Sequence, residues 1–282
     1  IRRSMNLNIL MSGISAALEF LFLGVFRFGI WGAALATCSG MFICAFLAFY
    51  PFLRGKLQLR LCRPRFSFRM IRQIIACGSP EFLSNMAGRI TSIFMNIVLL
   101  RFGGANAVSV YGVLMYTGET VQSFLYGICD SLQPAVGYNW GAGKKERVKS
   151  LEKYCFTASA LLSFISAVVI YLFPVQITAL FVKDTDAEFI GMAILAMRLF
   201  SLSFLTRWFS FAVKSYMTAV DKPVYASVIS VSTALVLPLL LIVVFWPLEL
   251  TGIWLNFPAT YAFAAILAAA ILLRFKKAWR QS

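Results

Sequence analysis

Eight apolar runs, each long enough to carry an α-helix across the hydrocarbon of a bilayer, leave this chain one class of fold. They fall at 6–26, 29–53, 73–101, 107–137, 154–182, 189–213, 223–246 and 250–273. Crossing a core of about 30 Å takes roughly 20 residues of helix. Lipid offers the backbone no hydrogen-bond partner, so a spanning segment must be a helix or a strand of a closed barrel. The runs lack the period-two alternation of a barrel strand. The reading is therefore all-α, a polytopic membrane protein with eight transmembrane helices. With 60% apolar and 13% charged residues, the chain has too little polar surface for a water-soluble globule.

A net charge of +15 would suit a nucleic-acid binder if the basic residues formed a patch. They alternate from loop to loop instead, which points to membrane topology and to no nucleic-acid partner. With the N-terminus inside, twenty of the 26 lie on the cytoplasmic side, including seven in 54–72, five in 144–153, Lys214 and Lys222. Arg27, Arg101 and Lys183 fall outside, and Arg89, Arg198 and Arg207 fall within spans. The positive-inside rule accounts for that distribution and places the C-terminus in the cytoplasm. Trp31, Trp246 and Trp254 sit at outer span ends and Trp140 and Trp279 just beyond inner ones, as interfacial anchors; Trp208 is the exception.

The chain has no histidine, and its six cysteines form no CxxC pair, so they read as structural thiols and no metal site is expected. Neither GxSG nor GxGD is present, which argues against an embedded protease and for no catalytic residues. The segment 54–72, with seven basic and no acidic residues, separates two spans from the following six. Three parts follow: 1–53 as the last two spans of one lobe, 54–72 as a basic cytoplasmic linker, and 73–282 as a six-span lobe with a cytoplasmic tail. A repeat supports the division. GIWGAALAT at 29–37 aligns with GIWLNFPAT at 252–260, five of nine identical at an offset of 223 residues, each opening the last span of its block.

Ionisable side chains at bilayer depth are costly unless paired or wet, so they mark candidate sites. In the third span Glu81, Asn85, Arg89, Ser92 and Asn96 fall on one stripe at 100° per residue. In the fourth, Glu119, Gln122, Tyr126, Asp130 and Gln133 do the same. Two polar faces imply a shared aqueous cavity. Helix-to-helix adhesion through amides is the competing reading for Asn85 and Gln122. Glu119 is the foremost candidate for an ion or a substrate cation, with Arg89 its counter-ion. Glu81, Asn85, Asn96, Gln122, Tyr126 and Asp130 complete the candidate binding set. Arg198 and Arg207, nine residues apart, point to opposite helix faces, so at least one of them is expected to be structural. Glu19 is alone in the first span and is a weaker candidate.

The segment QPAVGYNWGAGKKERVK at 133–149 resembles the signature of multidrug and toxic-compound extrusion (MATE) transporters, and GIWGAALAT at 29–37 and GSP at 78–80 fall where that family's elements fall. The resemblance covers the whole chain. It implies twelve spans in two six-span lobes, of which these would be the fifth to twelfth, the chain beginning at Ile1 inside a longer protein. It also implies a central cleft, a monomer in the bacterial inner membrane, and antiport of organic cations against protons or sodium, with no other cofactor. The chain departs from the sodium-coupled branch: where that branch has an acid deep in the third span, it has Gly88 and Arg89. A lipid-linked saccharide flippase of the same superfamily is the alternative. An anionic headgroup would call for a basic cavity, and the third and fourth spans offer acids and amides with one arginine. A membrane receptor or an embedded enzyme is the remaining, weaker alternative.

Overall fold

The computed structural model describes residues 2–53, 67–182 and 187–281. The chain divides into two compact units, Ile1–Ser67 and Phe68–Ser282. In the first, α1 (Arg2–Glu19) runs on through a π-helical stretch, Phe20–Val25, and a short turn into α2 (Gly29–Leu53). The two helices pack together, with Gly40 of α2 against Ser15 of α1. The turn carries three stacked rings, Phe22, Phe26 and Phe28, with centroids 5.5–6.2 Å apart.

The second unit holds α3 (Phe68–Gly141), α4 (Lys145–Leu172), the short α5 (Pro174–Ala179), α6 (Ala187–Ala219), α7 (Pro223–Val231), α8 (Leu237–Val244) and α9 (Glu249–Gln281). A π-helical turn, Ser232–Val236, joins α7 to α8, and a 3-10 turn, Trp246–Leu248, joins α8 to α9. Among the described residues six helices are long and apolar enough to cross a membrane, and Ile9–Val25 is a shorter apolar helix. One of the six, Phe82–Gly141, is 60 residues long and takes in Gly104, whose φ of 63° and ψ of −159° break α3. An L side chain rarely adopts that backbone, so glycine is needed there. Counted as two segments across Gly104, with Ile9–Val25 added, the helices match the eight runs of the sequence. The loop expected at 102–106 is thereby reduced to one non-helical residue.

α6 is the centre of this unit, packed against α9, α4 and α3. Lipid tails are as apolar as leucine, so close packing rather than the hydrophobic effect must hold such helices together. Small buried residues of α6 (Ala193, Ala196, Ser203, Ala212) let its neighbours approach, and Ser203 returns its hydroxyl hydrogen bond to Phe200 O at 2.5 Å. Large side chains fill the rest: Phe200, Phe204, Met197, Leu114 and Trp254 in one cluster, Val213, Met217, Ile229 and Phe275 in another. Trp254 is thus a core residue and not the interfacial anchor its position suggested. Trp246 lies at the α8–α9 turn, edge-on to Phe102 at 5.0 Å and under the Arg101 guanidinium at 5.6 Å.

The 133–149 signature closes α3 and opens α4. Gly143, at φ 68°, makes the turn, and Lys144 N donates to Asn139 O at 2.9 Å. The end of α9 covers it: Trp140 meets Phe275 and Trp279 at 5.8 and 5.1 Å, and Lys145 Nζ lies 5.8 Å from the Trp279 ring. Buried Glu152 of α4 pairs with Lys276 Nζ at 2.7 Å, tying the same helices together. Cys129 and Cys155 touch across α3 and α4, sulfur to sulfur at 3.7 Å. Of the 54–72 linker, residues 54–66 lie outside the described residues, as does Lys183.

Candidate functional site

A proline sets the cavity wall. Pro238 has no N–H for the carbonyl four residues back, that of Ala234. Thr91 of α3 supplies the missing donor, its Oγ1 lying 2.5 Å from Ala234 O. Asn256 of α9 donates from Nδ2 to Pro238 O at 2.8 Å, and Thr260 Oγ1 bonds Asn256 Oδ1 at 3.0 Å. The π-helical turn at 232–236 is a local widening of the kind often found at functional sites. Here it is held open from two sides.

Two chambers lie against that wall. The larger, about 240 Å³, takes Glu119, Gly118 and Met115 from α3, Phe200 from α6, and Asn256, Phe257 and Thr260 from α9; Gly88, Thr91, Ser92, Met95 and Tyr111 complete the α3 side. The smaller, about 170 Å³, is lined by Ser84, Gln122, Tyr126, Ser210, Phe211, Lys214, Ser230 and Thr233, among others. Arg207 and Tyr261 line both chambers. The guanidinium sits 4.9 Å from the Tyr261 ring and 5.6 Å from that of Phe204, and its Nε donates to Gln122 Oε1 at 2.9 Å. Gly118 makes room at the junction: a Cβ there would lie 2.9 Å from Phe200 Cζ and 3.5 Å from Arg207 Nη1.

The fourth-span stripe is spread along this site. Glu119 lines the larger chamber, and Gln122 and Tyr126 line the smaller. Tyr126 also meets Phe211 edge-on at 4.9 Å. Asp130 lies beyond them, exposed, accepting from Gln133 Nε2 at 2.7 Å and Ser215 Oγ at 3.0 Å. The third-span stripe is turned away by most of a quadrant. The residues of that helix on the chambers are Ser84, Gly88, Thr91, Ser92 and Met95, whereas Asn85 and Arg89 line neither chamber. Asn96 is half-buried and donates to Ser92 O at 2.9 Å, outside both chamber linings. The side chain of Glu81 lies outside the described residues.

Arg89, expected as the partner of Glu119, lines neither chamber; the arginine that shares a chamber with Glu119 is Arg207. Small residues on α3 let α7 and the π-helical turn pack close, and that contact decides which face is inward. Arg198 and Arg207 do diverge, Arg198 being exposed and 5.5 Å from the Tyr171 ring. Lys214, counted above as cytoplasmic, belongs to α6 and lines the smaller chamber. Arg207, Ser210 and Lys214 fall at offsets 0, 3 and 7, a one-face spacing that was available in the sequence.

Comparison with known proteins agrees on the family. The family model described as MatE matches residues 80–244. The multidrug export protein MepA of Staphylococcus saprophyticus is 23% identical over 230 residues, 81% of this chain and 50% of the relative. The probable multidrug resistance protein YoeA of Bacillus subtilis is 24% identical over 265 residues, 89% of this chain and 56% of the relative. Among solved structures, an outward-facing MATE family multidrug resistance transporter of the MOP superfamily superposes with a TM-score of 0.88 at 22% identity, over 99% of this chain and 63% of that one. The chain spans about half the length of the relatives it matches.

Proposed function

Since the chain belongs to the MATE family of membrane transporters, we propose that it serves a secondary exporter of small, drug-like organic cations, driven by antiport with protons or sodium. The observation that carries this reading is Glu119, a carboxylate on the wall of a chamber lined by Tyr111, Phe200, Phe257 and two methionines within a bundle of membrane-spanning helices. An acid at that depth can exchange a proton or a sodium ion while a cationic, largely apolar molecule rests on the rings. The third span has no acid at Gly88 or Arg89, which leaves Glu119 as the coupling candidate on this cavity. We place the protein in a bacterial plasma membrane, like its relatives, as a monomer, and its C-terminus in the cytoplasm because the basic residues fall so heavily on one side. We likewise assign 1–53 to the last two spans of an N-terminal lobe and 73–282 to a six-span C-terminal lobe, with the basic segment 54–72 as the linker.

The test is efflux of a cationic dye from proteoliposomes under separately imposed proton and sodium gradients. Glu119→Gln keeps the volume and removes the titratable charge, so coupled efflux is expected to fall to background while membrane insertion is unchanged. Glu119→Asp should retain part of the rate. Efflux by Glu119→Gln at the parental rate under both gradients would move the coupling group elsewhere.

A further inference from the structure

The two chambers differ in charge. The larger holds Glu119 and Arg207 among apolar, aromatic and hydroxyl groups; the smaller is lined by Arg207 and Lys214 with seven hydroxyl- or amide-bearing residues and no carboxylate. A cation within a membrane-spanning bundle is expensive unless an anion or good acceptors meet it. Among the described residues, the hydrogen bond Arg207 makes is the one from Nε to a neutral amide, Gln122 Oε1. A guanidinium has five N–H donors, so four, on Nη1 and Nη2, remain for another partner. Glu119 lines the larger chamber with Arg207, yet the two form no ion pair among the described residues. An independent feature lies on the α7 side. Ser230, 4% exposed, lines the smaller chamber, and its Oγ has no hydrogen-bond partner among the described residues. A buried hydroxyl left unmatched at a cavity wall is a donor waiting for an acceptor.

We propose that the smaller chamber is an anion-accepting subsite, in which Arg207, Lys214 and Ser230 hold the carboxylate or phosphate oxygens of a ligand whose aromatic body lies in the larger chamber. The forked guanidinium matches a two-oxygen acceptor, and Ser230 supplies a hydroxyl donor from the α7 side. At about 170 Å³ the chamber takes a compact oxyanion with its first carbons, while the rings and methionines of the larger chamber suit an apolar body. The ligand class is then an aromatic acid, or an amphoteric molecule whose amine is met by Glu119. This rests on reading the cavity as the substrate path.

Binding, measured apart from transport, tests it. The protein in lipid nanodiscs would be titrated with dansylglycine and with its methyl ester, equal in bulk but lacking the charge. The acid should bind about tenfold or more tightly than the ester. Arg207→Gln and Ser230→Ala should each weaken the acid and leave the ester unchanged, with Lys214→Gln acting in the same sense. Equal affinity for acid and ester would overturn the proposal. So would an Arg207→Gln variant, its thermal unfolding preserved, that retained the parental preference for the acid. Competition identifies the source of the anion: displacement by inorganic phosphate supports a free oxyanion, and displacement by short-chain phosphatidic acid alone supports a lipid headgroup, either one upholding the subsite. Acid-selective binding without efflux would refute the transport reading and leave the subsite standing.

Discussion

Replacing Thr91 by valine keeps the shape of the side chain and removes the one hydroxyl that serves Ala234 O, 2.5 Å away and without an i+4 donor because residue 238 is proline. Side-chain hydrogen bonds between membrane helices are worth about 0.6 kcal/mol on average and up to about 1.7 kcal/mol. The contact is short and half-buried, and proline at 238 removes the i+4 donor, so a value of about 1–1.7 kcal/mol is expected. For a unit of this size that is a fall in Tm of roughly 2–7 °C. The decisive measurement is a double-mutant cycle in detergent, followed by thermal unfolding. Pro238→Ala restores an N–H that can reach Ala234 O along the helix, so Thr91→Val should cost little in that background. The coupling between the two positions is then about 1 kcal/mol. If Thr91→Val costs the same with proline and with alanine at 238, the cross-helix bond does not compensate the proline and the account of the cavity wall fails.

Glu152→Gln should lower stability by about 1–2 kcal/mol. This is less than a fully buried ion pair would cost, because Lys276 keeps 38% of its side chain in contact with solvent, and Lys276→Met should recover part of the loss in the double variant; thermal unfolding measures both. Single cysteines at Asn106 and Lys145 should react with an impermeant maleimide from opposite faces of the membrane, Asn106 from outside. Labelling of both from one face would refute the topology drawn from the basic residues.

The helical spans were legible because lipid makes the signal long and uniform: about 20 apolar residues leave few alternatives. The turn at 102–106 was overdrawn, since hydropathy drops across Arg101–Gly104 although only Gly104 leaves the helical conformation. The inward face of the fourth span could be read from Glu119, Gln122 and Tyr126, where polar residues and cavity coincide. In the third span the polar stripe and the packed face differ. Ser84, Gly88 and Thr91 turn inward because small residues admit a neighbouring helix, and Asn85 and Arg89 line neither chamber. A hydropathy window ended the sixth span at 213 and put Lys214 in a loop, while the helix continues to Ala219.

The arginine that matters to the cavity could not be chosen by facing alone, because Arg198 and Arg207 diverge by construction and either could have been the inward one. Local sequence tips the balance. Around Arg207 the same face carries Phe204, Ser210 and Lys214, the last two among the residues that line a chamber, whereas Arg198 is exposed and sits over the Tyr171 ring. Arg207 and Lys214, two helical turns apart on one face, line a chamber whose lining holds no carboxylate, where like charges repel. A ligand that brings an anion to that chamber offsets the repulsion. The preference for cations drawn from Glu119 and the preference for an oxyanion drawn from Arg207 then describe two sides of one cavity, and a substrate carrying both charges would satisfy each.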